Sequence, residues 1–205
     1  MRIKYEYNSR TLTLSRSSLG TGPMATNTQI IEFYSGRKPD HRGRYLSEIQ
    51  LWTDDQLEVV HDYIQWLFPL AERSGFNVAA PVLNREVIEA FRTRLDLQRN
   101  LRASFLRMIG FYGLEVCPAE PITVTRGLSF PVRSAGWLTP GNHNHLRITR
   151  ILGCLSVLGL DAEVKAFFEF LAEIYEEEQE KPLPAISDET FDYWGKAARK
   201  VLRGT

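Results

Sequence analysis

Two cysteines, four histidines, no net charge and no long apolar run mark this 205-residue chain, and each scarcity removes a class of protein. Cys117 and Cys154 are too far apart in sequence for a CxxC redox or zinc motif. They read as reduced thiols of a cytoplasmic protein, Cys154 in the core and Cys117 in a loop. The longest uncharged apolar run is ILGCLSVLGL, residues 151–160. A membrane-spanning helix needs roughly 20 such residues, so no transmembrane segment is expected. Lysine plus arginine total 25 and aspartate plus glutamate total 25. Such a balance argues against a protein held to nucleic acid by phosphate contacts. No GxxxxGKS/T, GxSxG or HExxH is present, nor a GxGxxG following a strand. His61, His143 and His145 lack a fourth ligand for a zinc set, so neither a metal nor a cofactor is expected.

What is present is an ordinary globular composition, 43% hydrophobic and 24% charged, sized for one domain. The fold class expected is mainly α: a single multi-helix domain over residues 24–205, with irregular loops and at most a short β-hairpin. Residues 1–23 carry Arg2, Lys4, Arg10 and Arg16 against Glu6, ahead of a Gly-Thr-Gly-Pro punctuation. They read as a flexible extension outside the core, from an upstream start codon; the rival is a short strand pair across residues 2–14.

The helices are legible from period and caps. Thr53-Asp54-Asp55-Gln56 has capping-box spacing, and Leu57, Val60, Ile64 and Leu67 form a stripe behind it, predicting one helix over 55–68 that ends at Pro69. Val87, Phe91, Leu95, Leu101, Phe105, Met108 and Tyr112 predict a second over 84–112, stopped by Gly113. The stretch 114–141 is dense in proline and glycine, leaving room for a hairpin around ITVT and LSFPV. Further helices are predicted from Asn144 to Leu158 with Gly159 as stop, from Asp161 as a cap, and from about Ser187.

Two segments carry the chemistry. In HDYIQWLFPL (61–70), Asp62 and Gln65 join Glu58 one turn apart on the predicted helix, His61 lies beside Gln65, and Trp66 flanks them. This polar strip contains one group that titrates near neutrality. In PGNHNHLRITRIL (140–152), Asn142 or Asn144 can cap a helix with Arg147 in its first turn and Arg150 following, and His143 and His145 stand at that start. A helix start with arginine and asparagine suits a carboxylate or phosphate. No acid occurs between Glu120 and Asp161, whereas residues 161–180 hold eight acids against Lys165. The competing expectation is therefore that Arg147 and Arg150 pair with that acidic helix. The six arginines of 84–112 face three acids, enough for a basic face.

HDYIQWLFPL (61–70), RMIGFYGLE (107–115), NHNHLRITRILGCLSVLGL (142–160) and FYSGRKPDHRGRYLSEI (33–49) resemble the conserved domain of the opioid growth factor receptor family, the last in a form similar to its bacterial-type members. The resemblance covers residues 31–200. It implies a compact helical domain that, in animal members, belongs to a receptor for the pentapeptide Met-enkephalin. By motif match it singles out His61, Asp62, Gln65, Trp66, His143, Asn144, Arg147 and Arg150. The leading expectation is a non-enzymatic binding module. Its polar pocket lies between the helices at 55–68 and 144–158, walled by Trp66 and Trp137, and takes a small anionic ligand or a peptide; a protein partner is the broader form. The alternatives are an enzyme using His61 or His143 as general base beside Asp62, and a scaffold contacting protein or nucleic acid through 84–112.

Overall fold

In the computed structural model, residues 28–72 and 79–202 are described; the expectation for residues 1–23 lies outside them. Helix α1 (Gln29–Tyr34) and α2 (Leu46–Gln50) precede α3 (Asp54–Val59) and α4 (Ile64–Leu67). Next come α5 (Arg85–Thr93) and α6 (Leu95–Phe111), then a hairpin of β1 (Leu114–Cys117) and β2 (Thr123–Arg126). A short α7 (Phe130–Arg133) and a 3-10 turn (Ser134–Gly136) lead to the long helices α8 (His143–Leu158), α9 (Asp161–Gln179) and α10 (Asp188–Leu202). The domain is mainly α, as its periodicity predicts. α8 packs against α5, α9 and α10, which explains why its inward residues Ile148, Ile151, Leu152 and Leu155 are wholly buried. Cys154 is buried and Cys117 exposed. Among the described residues no helix is long and apolar enough to cross a membrane.

The predicted helix over 55–68 is two helices. Thr53 and Gln56 close the capping box as expected, but the chain leaves helical geometry at Val60 (φ −84, ψ 132). In a continuous helix the Glu58 and Val60 carbonyls would accept from the amides four residues on. Here both accept from the Arg147 guanidinium instead. The predicted helix over 84–112 likewise breaks at Arg94 (φ −100, ψ 115). There the Gln98 side chain donates to the Phe91 carbonyl, and Thr93 Oγ1 donates to Glu89 O. Asp161 is the first residue of α9 and Leu160 its cap.

The hairpin keeps the expected ITVT segment as its second strand but pairs it with LEVC rather than LSFPV. LEVC pairs antiparallel with TVTR, Val116 opposite Val124, while FPVR turns into α7 with Pro131 in its first turn. Gly113 sets this geometry: its φ of +80 needs glycine, and a Cβ there would lie 2.8 Å from both Arg133 Cβ and the Phe130 backbone. The hairpin thus folds α7 and Trp137 back toward α3 and the start of α8.

Candidate functional site

The start of α8 is built on Asn142, whose side chain accepts from the Asn144 amide at 2.9 Å. The turn N-terminal to it is tied by Asn142 Nδ2, which donates to Gly136 O and Thr139 Oγ1. Three of the expected residues then meet α3, and His61 joins them through His143. Asn144 is fully buried and donates to Glu58 Oε2 at 3.2 Å. His143 Nε2 lies 3.2 Å from Glu58 Oε1, and the His61 and His143 ring centroids are 5.3 Å apart. Arg147, only 4% exposed, donates to Glu58 O at 3.3 Å, Val60 O at 3.1 Å and Asn144 Oδ1 at 3.1 Å. Its guanidinium also lies 5.6 Å over the Tyr63 ring. Burial lifts the Tyr63 phenol to about 12, although Arg147 and Arg107 oppose that rise.

The remaining expected residues point elsewhere. Asp62 turns away from His61 and takes Arg44 Nη1 at 2.8 Å and Arg42 Nε at 3.1 Å, with His41 Nε2 at 3.5 Å. Burial raises this carboxyl, and the hydrogen bonds and charge of Arg44 and Arg42 outweigh burial and hold it below the ordinary range. His61 and Asp62 lie in the non-helical link between α3 and α4, where Arg42 and Arg44 draw the carboxylate to one side and His143 packs on the His61 ring at the other. Gln65 and Trp66 are buried, Trp66 against Phe33 and the parallel His41 ring. Arg150 donates to Phe68 O at 3.1 Å, and burial lowers its pKa. His145 is also enclosed: Nε2 sits 2.9 Å from Trp137 O, and burial holds its pKa below the ordinary value.

Between α3, α7 and the first turn of α8 lies a cavity of about 150 Å³. Asp54, Asp55 and Glu58 face Arg133 and Asn144 across it, with Phe111, Trp137 and Gly136 as walls. Asp54 is neutralised by Arg107 at 2.6 Å and by Arg133. Asp55 is exposed and enters no ion pair among the described residues. Trp137 lines this cavity, held by its indole N–H to Tyr112 O at 3.1 Å; Trp66 does not. Sequence reasoning placed Glu58 in the polar strip without carrying it to the site, and passed over Asp54, Asp55 and Arg133. The acids stood in plain view as the first turn of a capped helix, where they also serve the helix dipole. Among the described residues no group of three or more His, Cys, Asp or Glu side chains is arranged to hold a metal ion.

The arginines of the basic stretch are largely engaged within the chain. Arg92 donates to Val157 O and Ser156 O, Arg94 pairs with Asp96, Arg102 with Glu163 and Arg107 with Asp54.

Comparison with known proteins joins these observations. Residues 25–203 match the sequence model described as the opioid growth factor receptor (OGFr) conserved region. The mouse opioid growth factor receptor is 37% identical over 153 residues, 74% of this chain and 24% of its own length. The human receptor is 37% identical over 160 residues, covering 77% of this chain and 23% of the receptor. The rat opioid growth factor receptor-like protein 1 is 32% identical over 185 residues, 84% of this chain and 38% of its own. The chain therefore spans about a quarter of the length of the receptors it matches. No solved structure matches it. The matched span takes in α1 to α10 and every residue of the α3–α8 site, and the chain belongs to the opioid growth factor receptor conserved-region family.

Proposed function

We propose that this domain is a non-catalytic binding module whose recognition site is the cleft between α3 and the start of α8, and that it takes the cationic end of a short peptide. The observation that carries this reading is the lining: Asp55, in no ion pair among the described residues, and the part-exposed Glu58 face the cleft, Asp54 being held by Arg107 and Arg133, with Trp137 and Phe111 as aromatic walls. An ammonium group gains from both carboxylates and aromatic faces. Arg147, the residue expected to hold an anion, has its donors committed to Glu58, Val60 and Asn144. It supports the cleft from beneath. Whole-ligand pockets commonly measure ~300–1,000 Å³. A cavity of about 150 Å³ fits an end group or one side chain, with the rest of the peptide on the surface. Val59 and Val132, sequence neighbours of the lining residues Glu58 and Arg133, are 74% and 78% exposed and offer apolar contact there. The receptor names of the relatives support a ligand-binding role, and the family resemblance supplies a pentapeptide as probe.

The test is titration calorimetry with Met-enkephalin and its N-acetylated form. The free amine should bind and the blocked one should not. Asp55→Asn should weaken binding about tenfold, the loss of roughly one charge-assisted contact. Equal binding of the two forms, or binding unchanged in an Asp55→Asn, Glu58→Gln double variant, refutes the proposal. A second reading, a general acid–base enzyme, is favoured by one observation: His143 is oriented by Glu58 and exposed beside the same cleft.

A further inference from the structure

We propose that His61 and His143 form a pH-responsive latch on the joint between α3 and α8, closed when the rings are neutral and released when both are charged. The inference deepens the cleft reading by giving that site a regulation, but its own evidence is the joint. Residues 58–61 are held to α8 by few groups. Arg147 grips the carbonyls of Glu58 and Val60 from below, and Glu58 spans from His143 at 3.2 Å to Asn144 at 3.2 Å from above. The two imidazoles close the joint at its outer edge, centroids 5.3 Å apart and tilted by 49°.

Among the described residues, the charge facing this pair can be named. From α3 comes Glu58, with Asp54 and Asp55 lining the neighbouring cleft; from α7 comes Arg133, paired with Asp54. From α8 come Arg147, 3.8 Å from Glu58, and the enclosed His145. Asp62 is the acid next to His61 in sequence, and its carboxylate is committed to Arg42 and Arg44 on the other side. With both rings neutral, Glu58 and Arg147 balance. With both charged, three cations share the one carboxylate. One proton is accommodated by Glu58, and the second meets His⁺ and Arg⁺ together.

Linkage gives the direction. Burial and Arg147 lower the His143 pKa in the fold, Glu58 offsets this in part, and His61 adds to the lowering. The fold therefore prefers a neutral ring. Its contribution is fully present above the unfolded value near ~6.5 and is lost as pH falls through the lower folded value. Acid loosens the joint and alkali closes it.

Hydrogen exchange on the unliganded full chain tests this, comparing protection factors, corrected for intrinsic exchange, at pH 8.0 and 5.5. Wild type should lose protection in the amides of residues 58–63 at the lower pH, the direction set by the lowered His143 pKa. α9 and α10 should not respond. His61→Gln and His143→Gln should each reduce the change, and the double variant should abolish it while keeping its Tm at pH 8.0. Flat wild-type protection overturns the latch. So does a response that persists in the double variant, which would place the proton on His145 or a carboxylate. Because no ligand is present, failure here leaves the peptide reading standing, and failure of peptide binding leaves the latch standing.

Discussion

Replacing Arg147 by alanine separates a ligand-facing arginine from one that builds the site. Arg147 is 4% exposed and makes three hydrogen bonds, two of them to backbone carbonyls that α3 cannot satisfy for itself once its helix has ended. Hydrogen bonds to charged donors contribute roughly 1.5–3 kcal/mol each, but they are not additive. Removing one member of a buried charged cluster costs about 3–5 kcal/mol in total. The Glu58 carboxylate adds little, since that side chain is 41% exposed and screened by solvent. The expected loss is therefore about 3–4 kcal/mol. For a domain of this size, each kcal/mol lowers Tm by roughly 2–4 °C, so Tm should fall by about 10 °C. Thermal and urea unfolding followed by circular dichroism measure it. Arg147→Met, which keeps most of the volume, separates lost hydrogen bonds from the cavity left by alanine. A fall under about 3 °C with an unchanged m-value would refute the argument, because it would mean that those carbonyls find water or other donors without the guanidinium.

Other perturbations have defined outcomes. Asn142→Ala removes the α8 cap and the two Nδ2 bonds to Gly136 O and Thr139 Oγ1, and should cost at least about 1 kcal/mol, read as a fall in the urea midpoint, with Asn142→Asp restoring the cap but not those bonds. Gly113→Ala combines a φ of +80 with 2.8 Å contacts to Arg133 and Phe130, and should cost at least ~2 kcal/mol and lower the yield of folded protein. Asp62 has a pKa held below the ordinary range in the fold, so its stabilisation is present above the unfolded value and is lost as pH falls through the folded one. Asp62→Asn should therefore be less stable than wild type at pH 7 and converge with it in acid, as unfolding midpoints across pH 2–7 would record. Trp137→Ala should cost about 3–5 kcal/mol, since the ring is wholly buried and its N–H tethers Tyr112 O.

The long helices could be read from sequence because their signals are local. Asn142 caps α8, Gly159 ends it at φ +92, and the apolar stripe between them faces the core. Thr53 and Gln56 form their box where spacing placed it. The two breaks were hidden for the opposite reason. α3 stops because of a guanidinium 89 residues away, and α5 stops where Gln98, seven residues on, takes the Phe91 carbonyl. Local propensity carries no record of such donors. The same distance separates the part of the site that was visible from the part that was not. His61, His143, Asn144 and Arg147 sit in dense motifs and do converge. Glu58 gains its meaning only when α8 lies against it, and Asp62 leaves the group because Arg42 and Arg44, on the loop before α2, claim its carboxylate.

The zero net charge resolves into a division of labour. Of the four arginines between residues 121 and 160, Arg126 alone reaches the acidic α9, chelated by Glu177 at 2.5 Å. The other three go to the α3–α4 segment: Arg133 to Asp54, Arg147 to the Glu58 and Val60 carbonyls, and Arg150 to Phe68 O. α9 meets its partners elsewhere, Glu163 on Arg102 and Glu178 on Lys181 and the Ala185 amide. The polarity seen in sequence therefore does not chiefly join α8 to α9; it fastens 54–68 onto α7 and α8. That segment needs fastening, because helices of six and four residues lie far below the length at which a helix persists unaided. Its position depends on cations from outside itself, and the cleft carboxylates and His61 ride on it. The element proposed to form the recognition surface is thus also one whose placement depends on charge, so ligand affinity and local stability should share one dependence on pH.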